Sequence, residues 1–421
     1  MNVTRRAFMR AGALGLVGFG LEPVFLDRAA YAMSRAGAPA KSRTLVCLFQ
    51  RGAVDGLSMI IPHGEKAYYE ERPRIAIPAG AVVDLDGHFG LHPSLEPLKG
   101  WWDRGSLALV HAVGSPDTTR SHFDAQDYME SGTPGVKSTR DGWGNRYCQH
   151  EREHRDTPFR AVAFGSQLPR ILAGSAPTLA IDDLRAFGVR AGSPETSERM
   201  TRAFEDLYQG AATGLLASSS AEGFEAIQML KQANPSKLSA ENGAEYPRSK
   251  LGTSLAQIAQ LIKSDLGVEI AFADAGGWDT HVNQGAAAGQ LGARLADMAQ
   301  ALNAFATDLG TRMQDVVVLT MSEFGRTIHE NGTSGTDHGH ATAMLVLGGH
   351  VQGKQVAGRW PGLDPANRFE GRDLAVTTDF RDLFSEILTR HLGARDLAQV
   401  FPGFEPEPKR WVGVLRGGTS G

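Results

Sequence analysis

The chain has 421 residues, of which 42% are hydrophobic and 21% are charged. This composition is ordinary for a globular protein and excludes a wholly disordered or fibrous chain, while the length is typical of two or three domains or of one large α/β unit with insertions. The net charge of -4 gives no support to a nucleic-acid-binding function. Two cysteines are too few for a disulfide scaffold or a four-thiolate zinc site. Thirteen histidines, together with the carboxylates, are then the ligands that any metal chemistry must use.

Residues 1–32 have the pattern of a Tat export signal. The pair Arg5-Arg6 precedes a short apolar run over 11–25, and Ala30-Tyr31-Ala32 supplies the small residues that a signal peptidase recognises. A membrane span would need about 20 apolar residues, so export is favoured over a membrane anchor or a surface helix. We therefore predict a periplasmic or extracellular protein that meets the Tat translocase during export and has no stable membrane span.

Five short apolar runs predict the buried strands of a mainly parallel sheet. They cover residues 44–49, 107–113, 268–273, 316–320 and 344–347. Apolar residues at helical spacing predict helices over 251–266 and 291–309, and Thr378 is expected to cap a last helix that carries apolar residues from Phe380 to Leu392. This alternation predicts an α/β fold with helices on both faces of the sheet.

The domain organisation is predicted from the same pattern. After the signal peptide we expect one domain over 33–421, with a helical insertion at about 190–250 where the sequence is polar and rich in Ala and Ser. Cys47 lies within the first predicted strand, so Cys47 and Cys148 are expected to remain unpaired thiols.

Ionisable side chains lie next to the ends of the predicted strands. Ligands of open parallel sheets bind beyond the carboxyl ends of the strands, so these side chains are expected to gather on one rim. The candidates are Asp55 after the first strand, Arg120 and Ser121 after the second, Asp279 and His281 after the third, Glu323 and Arg326 after the fourth, and Asp337, His338 and His340 directly before the fifth. Their oxygen and nitrogen atoms suit one or two divalent ions of zinc, manganese, magnesium, calcium or iron.

Ser121 and the two arginines each have two interpretations. A hydroxyl at the start of a helix and near a cation is placed to act as a nucleophile, but Ser121 also suits the role of a helix cap. Arg120 and Arg326 either bind a phosphate or sulfate in a bidentate fork or pair with the neighbouring acids Asp124 and Glu323.

Several blocks of the sequence resemble domain-of-unknown-function family 1501, whose members commonly carry Tat signals. The resemblance extends from Arg43 to Gly393, and the blocks that carry it are 48–57 (LFQRGAVDGL), 91–95 (LHPSL), 120–123 (RSHF), 276–281 (GGWDTH) and 322–327 (SEFGRT), with Asp337-His338 after the last of them. The resemblance implies an alkaline-phosphatase-like fold, shared with sulfatases and cofactor-independent phosphoglycerate mutases. Fold alone does not give an activity.

The resemblance also implies roles for individual residues. Asp55 matches a metal-ligating aspartate after the first strand, Ser121 matches the nucleophile at a helix start, and Asp279 with His281 matches a metal-binding Asp and His pair, although the spacing here is shorter than the usual Asp-x-x-x-His.

The last ligand motif fits the superfamily in two ways. Asp337-His338 looks like its adjacent Asp-His pair, whereas strand order gives that place to Glu323 and leaves His338 or His340 as a later single histidine. We favour strand order, with one metal retained.

We predict an exported metal-dependent hydrolase of a phosphate or sulfate ester, with a small-molecule or glycan substrate. Ser121 would attack the ester while Arg326 or Arg120 binds its oxygens, or the metal would activate water instead. The alternative is a non-catalytic periplasmic protein that uses the same fold to bind a metal, a glycan or a partner chain.

Overall fold

The computed structural model describes residues 43–151, 157–185, 226–230 and 232–417. The predicted Tat signal over 1–32, the segment 190–225 of the predicted insertion and residue 231 lie outside the described residues. The chain divides into two compact units, one made of Met1–Ala40 and Leu184–Asn234 and the other of Lys41–Asp183 and Pro235–Gly421. The second unit contains every element and side chain discussed below.

The main sheet and its helices come from elements that alternate along the chain. The strands are β1 (Thr44–Arg51), β2 (Ile60–Ile61), β3 (Val83–Asp84), β4 (Gly90–Leu91), β5 (Leu107–Gly114), β6 (Ala161–Phe164), β7 (Leu179–Ile181), β8 (Ile270–Gly276), β9 (Val316–Met321), β10 (Thr342–Gly348), β11 (Val356–Ala357) and β12 (Thr378–Asp379). The α-helices are α1 (Gly56–Met59), α2 (Lys66–Glu71), α3 (Lys99–Asp103), α4 (His122–Ser131), α5 (Trp143–His150), α6 (Lys250–Lys263), α7 (Gln290–Leu309), α8 (Phe380–Ile387) and α9 (Leu397–Val400).

The main sheet has the strand order β11-β5-β10-β9-β1-β8-β6-β7, and β12 pairs with β5. The central strand β1 runs parallel to both neighbours, with Leu45 opposite Ile270 of β8 and Val317 of β9. Strands β6 and β7 continue the parallel arrangement. The predicted mainly parallel sheet is therefore confirmed. Strands β2, β4 and β3 form a second, small antiparallel sheet in the order β2-β4-β3.

Strand β10 is the exception, because it runs antiparallel to both β9 and β5. Thr342, at its start, pairs with Val113 near the end of β5. The amino end of β10 therefore lies at the same edge of the sheet as the carboxyl ends of its neighbours. This reversed direction brings the residues directly before β10 to the rim where ligands of parallel sheets bind.

Apolar side chains cover both faces of the sheet. Leu45, Cys47 and Phe49 point to one face and belong to a cluster that includes Trp143 of α5 and Phe384 of α8. Because side chains alternate along a strand, the equally buried residues at 46 and 48 point to the other face. Helix α6 contacts β8 and packs against α7, and neither helix contributes to the cluster on the first face. Helices on both faces, as predicted, shield the parallel strands from water.

The helix predictions agree with the structure except at one cap. The runs 251–266 and 291–309 form α6 and α7, but Thr378 pairs with β5 in strand β12 and does not cap the last helix. The side chain of Asp379 caps α8 instead, accepting a hydrogen bond from the Arg381 N–H at 2.9 Å. An aspartate is among the strongest N-caps, and it lies one residue after the predicted position.

The prediction for the two cysteines also has an outcome. Cys47 and Cys148 are both free and buried, which confirms that neither forms a disulfide. Among the described residues, no helix is long and apolar enough to cross a membrane.

Candidate metal centre

Three imidazoles and one carboxylate converge at the rim of the sheet. The Nε2 atom of His338 lies 3.0 Å from Nε2 of His122 and 2.9 Å from Nε2 of His281. Oδ1 of Asp279 lies 3.3 Å from the His338 Nε2 and 3.0 Å from the His281 Nε2. One ligand atom each of His122, Asp279 and His338 lies within 4.8 Å of the others.

Three separate segments bring these side chains together. His122 is the first residue of α4, where the Ser121 side chain caps the helix by accepting a bond from the Asp124 N–H. Asp279 and His281 follow β8, and His338 precedes the antiparallel β10.

The backbone packs closely against the ligand loop at Gly52. Gly52, after β1, has a φ of +117°, and a Cβ there would lie 2.8 Å from the Asp279 nitrogen. Only glycine suits this approach.

The second nitrogen of each imidazole is held by an oxygen acceptor. Nδ1 of His122 lies 2.8 Å from Oε1 of Glu323, and Nδ1 of His281 lies 3.0 Å from Oδ1 of Asp337. Nδ1 of His338 lies 2.9 Å from the carbonyl oxygen of Arg120. Carboxylate and carbonyl oxygens accept hydrogen bonds, so each Nδ1 donates to its oxygen, and a ring in its neutral form presents its Nε2 lone pair to the centre. Nε2 of His281 also lies 3.5 Å from Nη1 of Arg326.

This arrangement fits a metal ion better than it fits a hydrogen-bonded cluster. Two lone pairs facing each other at about 3 Å have no hydrogen between them unless one ring takes an extra proton. Ligand nitrogens that lie about 2.1 Å from one ion at tetrahedral angles are about 3.4 Å apart, near the separations of these Nε2 atoms. Anchoring of the far ring nitrogen by a carboxylate or carbonyl is the usual outer shell of a metal-bound histidine.

Glu323 is a buried partner of the centre. It is 0% exposed, and its Oε1 accepts bonds from His122, from the Gly52 N–H at 2.8 Å and from the Gln126 side chain at 2.9 Å. Burial by itself would raise the pKa of Glu323, but the bond from His122 and the other donors hold that pKa below its ordinary value. The bond to Glu323 in turn raises the pKa of His122, against the opposite effect of burial.

A model of a known protein family matches residues 42–403 of the chain. The chain belongs to the family described as "Protein of unknown function (DUF1501)". No curated protein matches this DUF1501 chain. Among solved structures it is similar to the crystal structure of the sulfatase PsFucS1 from Pseudoalteromonas sp., with 11% sequence identity and a TM-score of 0.40, over 94% of this chain and 77% of the sulfatase chain.

Arg326 orients the carboxylate of this DUF1501 centre. Its guanidinium donates to Asp279 and to the carbonyl oxygens of Gly52 at 2.8 Å, Ala53 at 2.7 Å and Thr336 at 3.1 Å. Arg326 is 1% exposed. With these donors already directed at protein oxygens, Arg326 is placed to hold Asp279 and to lower its pKa, which burial alone would raise.

Arg120 contacts the centre through its backbone. Its carbonyl oxygen anchors His338, while its Nη2 lies 2.6 Å from Glu370 and 2.7 Å from Asp373. Neither Asp124 nor Glu323, the two acids considered from the sequence, forms this ion pair. The partners of Arg120, Glu370 and Asp373, are about 250 residues away in sequence. The local spacing of residues does not predict a contact over that separation.

Four predicted ligands lie outside the group of converging atoms. Glu323 and Asp337 contact the far nitrogens of two histidines, as described above. Asp55 is 0% exposed and binds Arg72 through both carboxylate oxygens, at 2.6 and 3.0 Å. The His340 ring packs on Phe369 with centroids 4.2 Å apart, and burial lowers its pKa.

The predicted ligand set does not include His122, whose Nε2 lies 3.0 Å from that of His338 in the centre. The block Arg120-Ser121-His122-Phe123 carries the sequence signal for His122, next to the serine that suits a nucleophile or a cap. Its ring stacks on the buried Phe324 with centroids 5.0 Å apart. His122 is the first residue of the helix that follows β5, and the carboxyl end of β5 lies at the same rim as the other strand-end ligands.

Proposed function

We propose that this DUF1501 protein is an exported metal-dependent hydrolase of a phosphate or sulfate ester. The observation that supports it is the convergence of His122, His281, His338 and Asp279, with every Nδ1 anchored by an oxygen. Export rests on the Tat-like pattern of residues 1–32, and the ester class rests on the family resemblance.

The ligand atoms limit which metal ions the centre is expected to bind. Magnesium and calcium prefer shells of oxygen ligands, whereas imidazole nitrogens suit zinc and iron, with manganese accepting mixed shells. Three imidazoles with one carboxylate therefore favour zinc, iron or manganese. The four candidate ligand groups meet at one place, which favours one ion.

The side chains around the centre have distinct roles in this proposal. The metal would supply positive charge that stabilises the developing negative charge of the ester and would activate the attacking oxygen. Ser121 precedes His122 directly at the start of α4, so its hydroxyl is the candidate nucleophile, with water as the alternative. Arg326 keeps Asp279 in place, and Arg120 is the candidate for contact with ester oxygens, since its side chain is 29% exposed.

Metal analysis of the purified protein, combined with a panel of small-molecule and glycan phosphate and sulfate esters, tests the proposal. We expect bound metal and metal-dependent turnover in the wild type, and loss of both in His338→Ala. The matched control is His329→Ala, since His329 lies on the same loop with a side chain that is 65% exposed. If Ser121→Ala keeps full turnover, water is the nucleophile and the covalent version is wrong.

A second candidate is a non-catalytic metal-binding protein. The observation that favours it is the engagement of both predicted ester-binding arginines with protein oxygens. Stoichiometric metal with no turnover on the whole panel would select this candidate.

A further inference from the structure

A buried polar network joins the two loops that carry candidate metal ligands. We define this network, the loop anchor, by six side chains that are each at most 2% exposed: Asp55, Ser58, Arg72, Thr280, Gln284 and Thr336. Such a group is costly to bury unless each donor and acceptor is paired.

At one end of the loop anchor, all five donors of Arg72 have acceptors. Nη1 donates to Asp55 at 2.6 Å and to Ser58 at 2.8 Å, and Nη2 donates to Asp55 at 3.0 Å. Nη2 and Nε reach the carbonyl oxygens of Thr327 at 2.8 Å and Ile328 at 2.9 Å. The β9–β10 connection, which also carries His338, is thereby tied to Asp55.

At the other end, the Gln284 amide connects both loops. Its Nε2 donates to Asp55 at 2.7 Å. Its Oε1 accepts from the Thr280 hydroxyl at 2.7 Å and from the Thr336 hydroxyl at 2.9 Å. A backbone bond from the Thr336 N–H to the Thr280 carbonyl, at 3.2 Å, lies between the same two residues.

The two threonines are direct neighbours of the candidate ligands. Thr280 lies between Asp279 and His281, and Thr336 precedes Asp337 and His338 by one and two residues. The Gln284 amide oxygen therefore holds, beside the backbone bond, the spacing of two segments that must present ligand atoms to one point. Metal affinity falls when ligands are held loosely, because ordering them then costs binding free energy.

We propose that Gln284, held by Asp55 and Arg72, is a positioning residue of the metal centre. The proposal rests on the metal centre of the proposed function, and it assigns Asp55 to the support of the ligand loops in place of direct ligation. Both oxygens of Asp55 are already occupied by Arg72 and Gln284, which is why its carboxylate supports the loops.

The test compares hydroxyl deletions that keep side-chain volume. Thr280→Val and Thr336→Val each remove one bond to Gln284, and Gln284→Leu removes all of its bonds. Thr44→Val is the matched control, since Thr44 is 2% exposed and its hydroxyl donates one bond, to Val268 O at 2.7 Å, at the opposite end of β1. Zinc and cobalt Kd values and the visible spectrum of the cobalt form are measured for each metal-stripped full-length protein, with melting temperatures alongside.

We expect Thr280→Val and Thr336→Val each to raise the zinc Kd about 10- to 100-fold and to alter the cobalt spectrum. Thr280→Ser and Thr336→Ser, which restore a hydroxyl, should recover affinity. Thr44→Val should lower the melting temperature with no change in Kd. Wild-type Kd values in both Thr→Val variants would overturn the proposal. Metal binding without ester turnover would overturn only the proposed hydrolase function. A wild type that binds no metal would overturn both the hydrolase function and the positioning role of Gln284.

Discussion

Nδ1 of His122 lies 2.8 Å from Oε1 of Glu323, a carboxylate with no exposed surface. This contact couples a candidate ligand on α4 to the end of β9, two elements separated by about 200 residues. It fixes the hydrogen of His122 on Nδ1 and leaves Nε2 for a metal.

Glu323→Gln should therefore weaken metal binding about 10- to 100-fold, because a neutral amide accepts a weaker hydrogen bond than a carboxylate does. Zinc titration of the metal-stripped protein measures the change. Glu386→Gln is the control, since Glu386 is also 0% exposed but binds backbone N–H groups of the carboxyl-terminal segment, at 413 and 415. Equal Kd values for the two variants would contradict the role given to Glu323.

Metal itself should stabilise the folded protein. A ligand that binds only the native state at 100 times its Kd adds about 2.7 kcal/mol to the free energy of unfolding, so zinc should raise the melting temperature of wild type and a chelator should reverse the rise. His338→Ala should abolish the response, and the exposed His329→Ala should retain it. A zinc response that survives His338→Ala would show that the ion binds elsewhere.

Removing one partner of the buried ion pair of Asp55 and Arg72 should strongly destabilise the fold. Both side chains are fully buried, so Arg72→Met leaves an uncompensated carboxylate, a change that costs about 3–5 kcal/mol. Chemical denaturation measures this loss. Arg312→Met is the comparison, because Arg312 and Asp265 are 44% and 53% exposed and such surface pairs contribute about 1 kcal/mol or less. Similar losses of unfolding free energy in Arg72→Met and Arg312→Met would contradict the predicted difference between a buried and an exposed ion pair.

Acidification should destabilise the fold through His111. Its Nδ1 accepts from the Ala112 N–H and its Nε2 contacts the Ile60 carbonyl oxygen, each at 3.0 Å, so the neutral ring is the form that fits. Burial lowers the pKa of His111 to about 4. The unfolded chain takes up the proton at its ordinary pKa of about 6.5, so stability present above pH 6.5 is lost as the pH falls toward 4.

The loss assigned to His111 is at most about 3 kcal/mol, from 1.36 kcal/mol per pKa unit. His111→Asn cannot titrate and should show a flatter dependence of unfolding free energy on pH between about 6.5 and 4. Parallel pH profiles for wild type and His111→Asn would contradict this account. His329→Asn, at an exposed position, is the matched control.

Sequence alone determined the layers of the fold. Continuous apolar runs predicted β1, β5, β8, β9 and β10, and helical spacing predicted α6 and α7, because burial on both sides of a parallel sheet demands such runs. It also indicated that strand ends carry the chemistry, and Asp279, His281 and His338 do converge.

Tertiary structure decided which ionisable groups face the centre. The reversed direction of β10 brings His338 to the rim, and Asp55 is turned to Arg72, a partner that no strand-end pattern identifies. His122 lies at the centre because it begins α4, whereas the His340 ring packs on Phe369. Spacing along the chain fixes neither the direction of a side chain nor its competing partners, since both depend on contacts between residues that lie more than 250 positions apart.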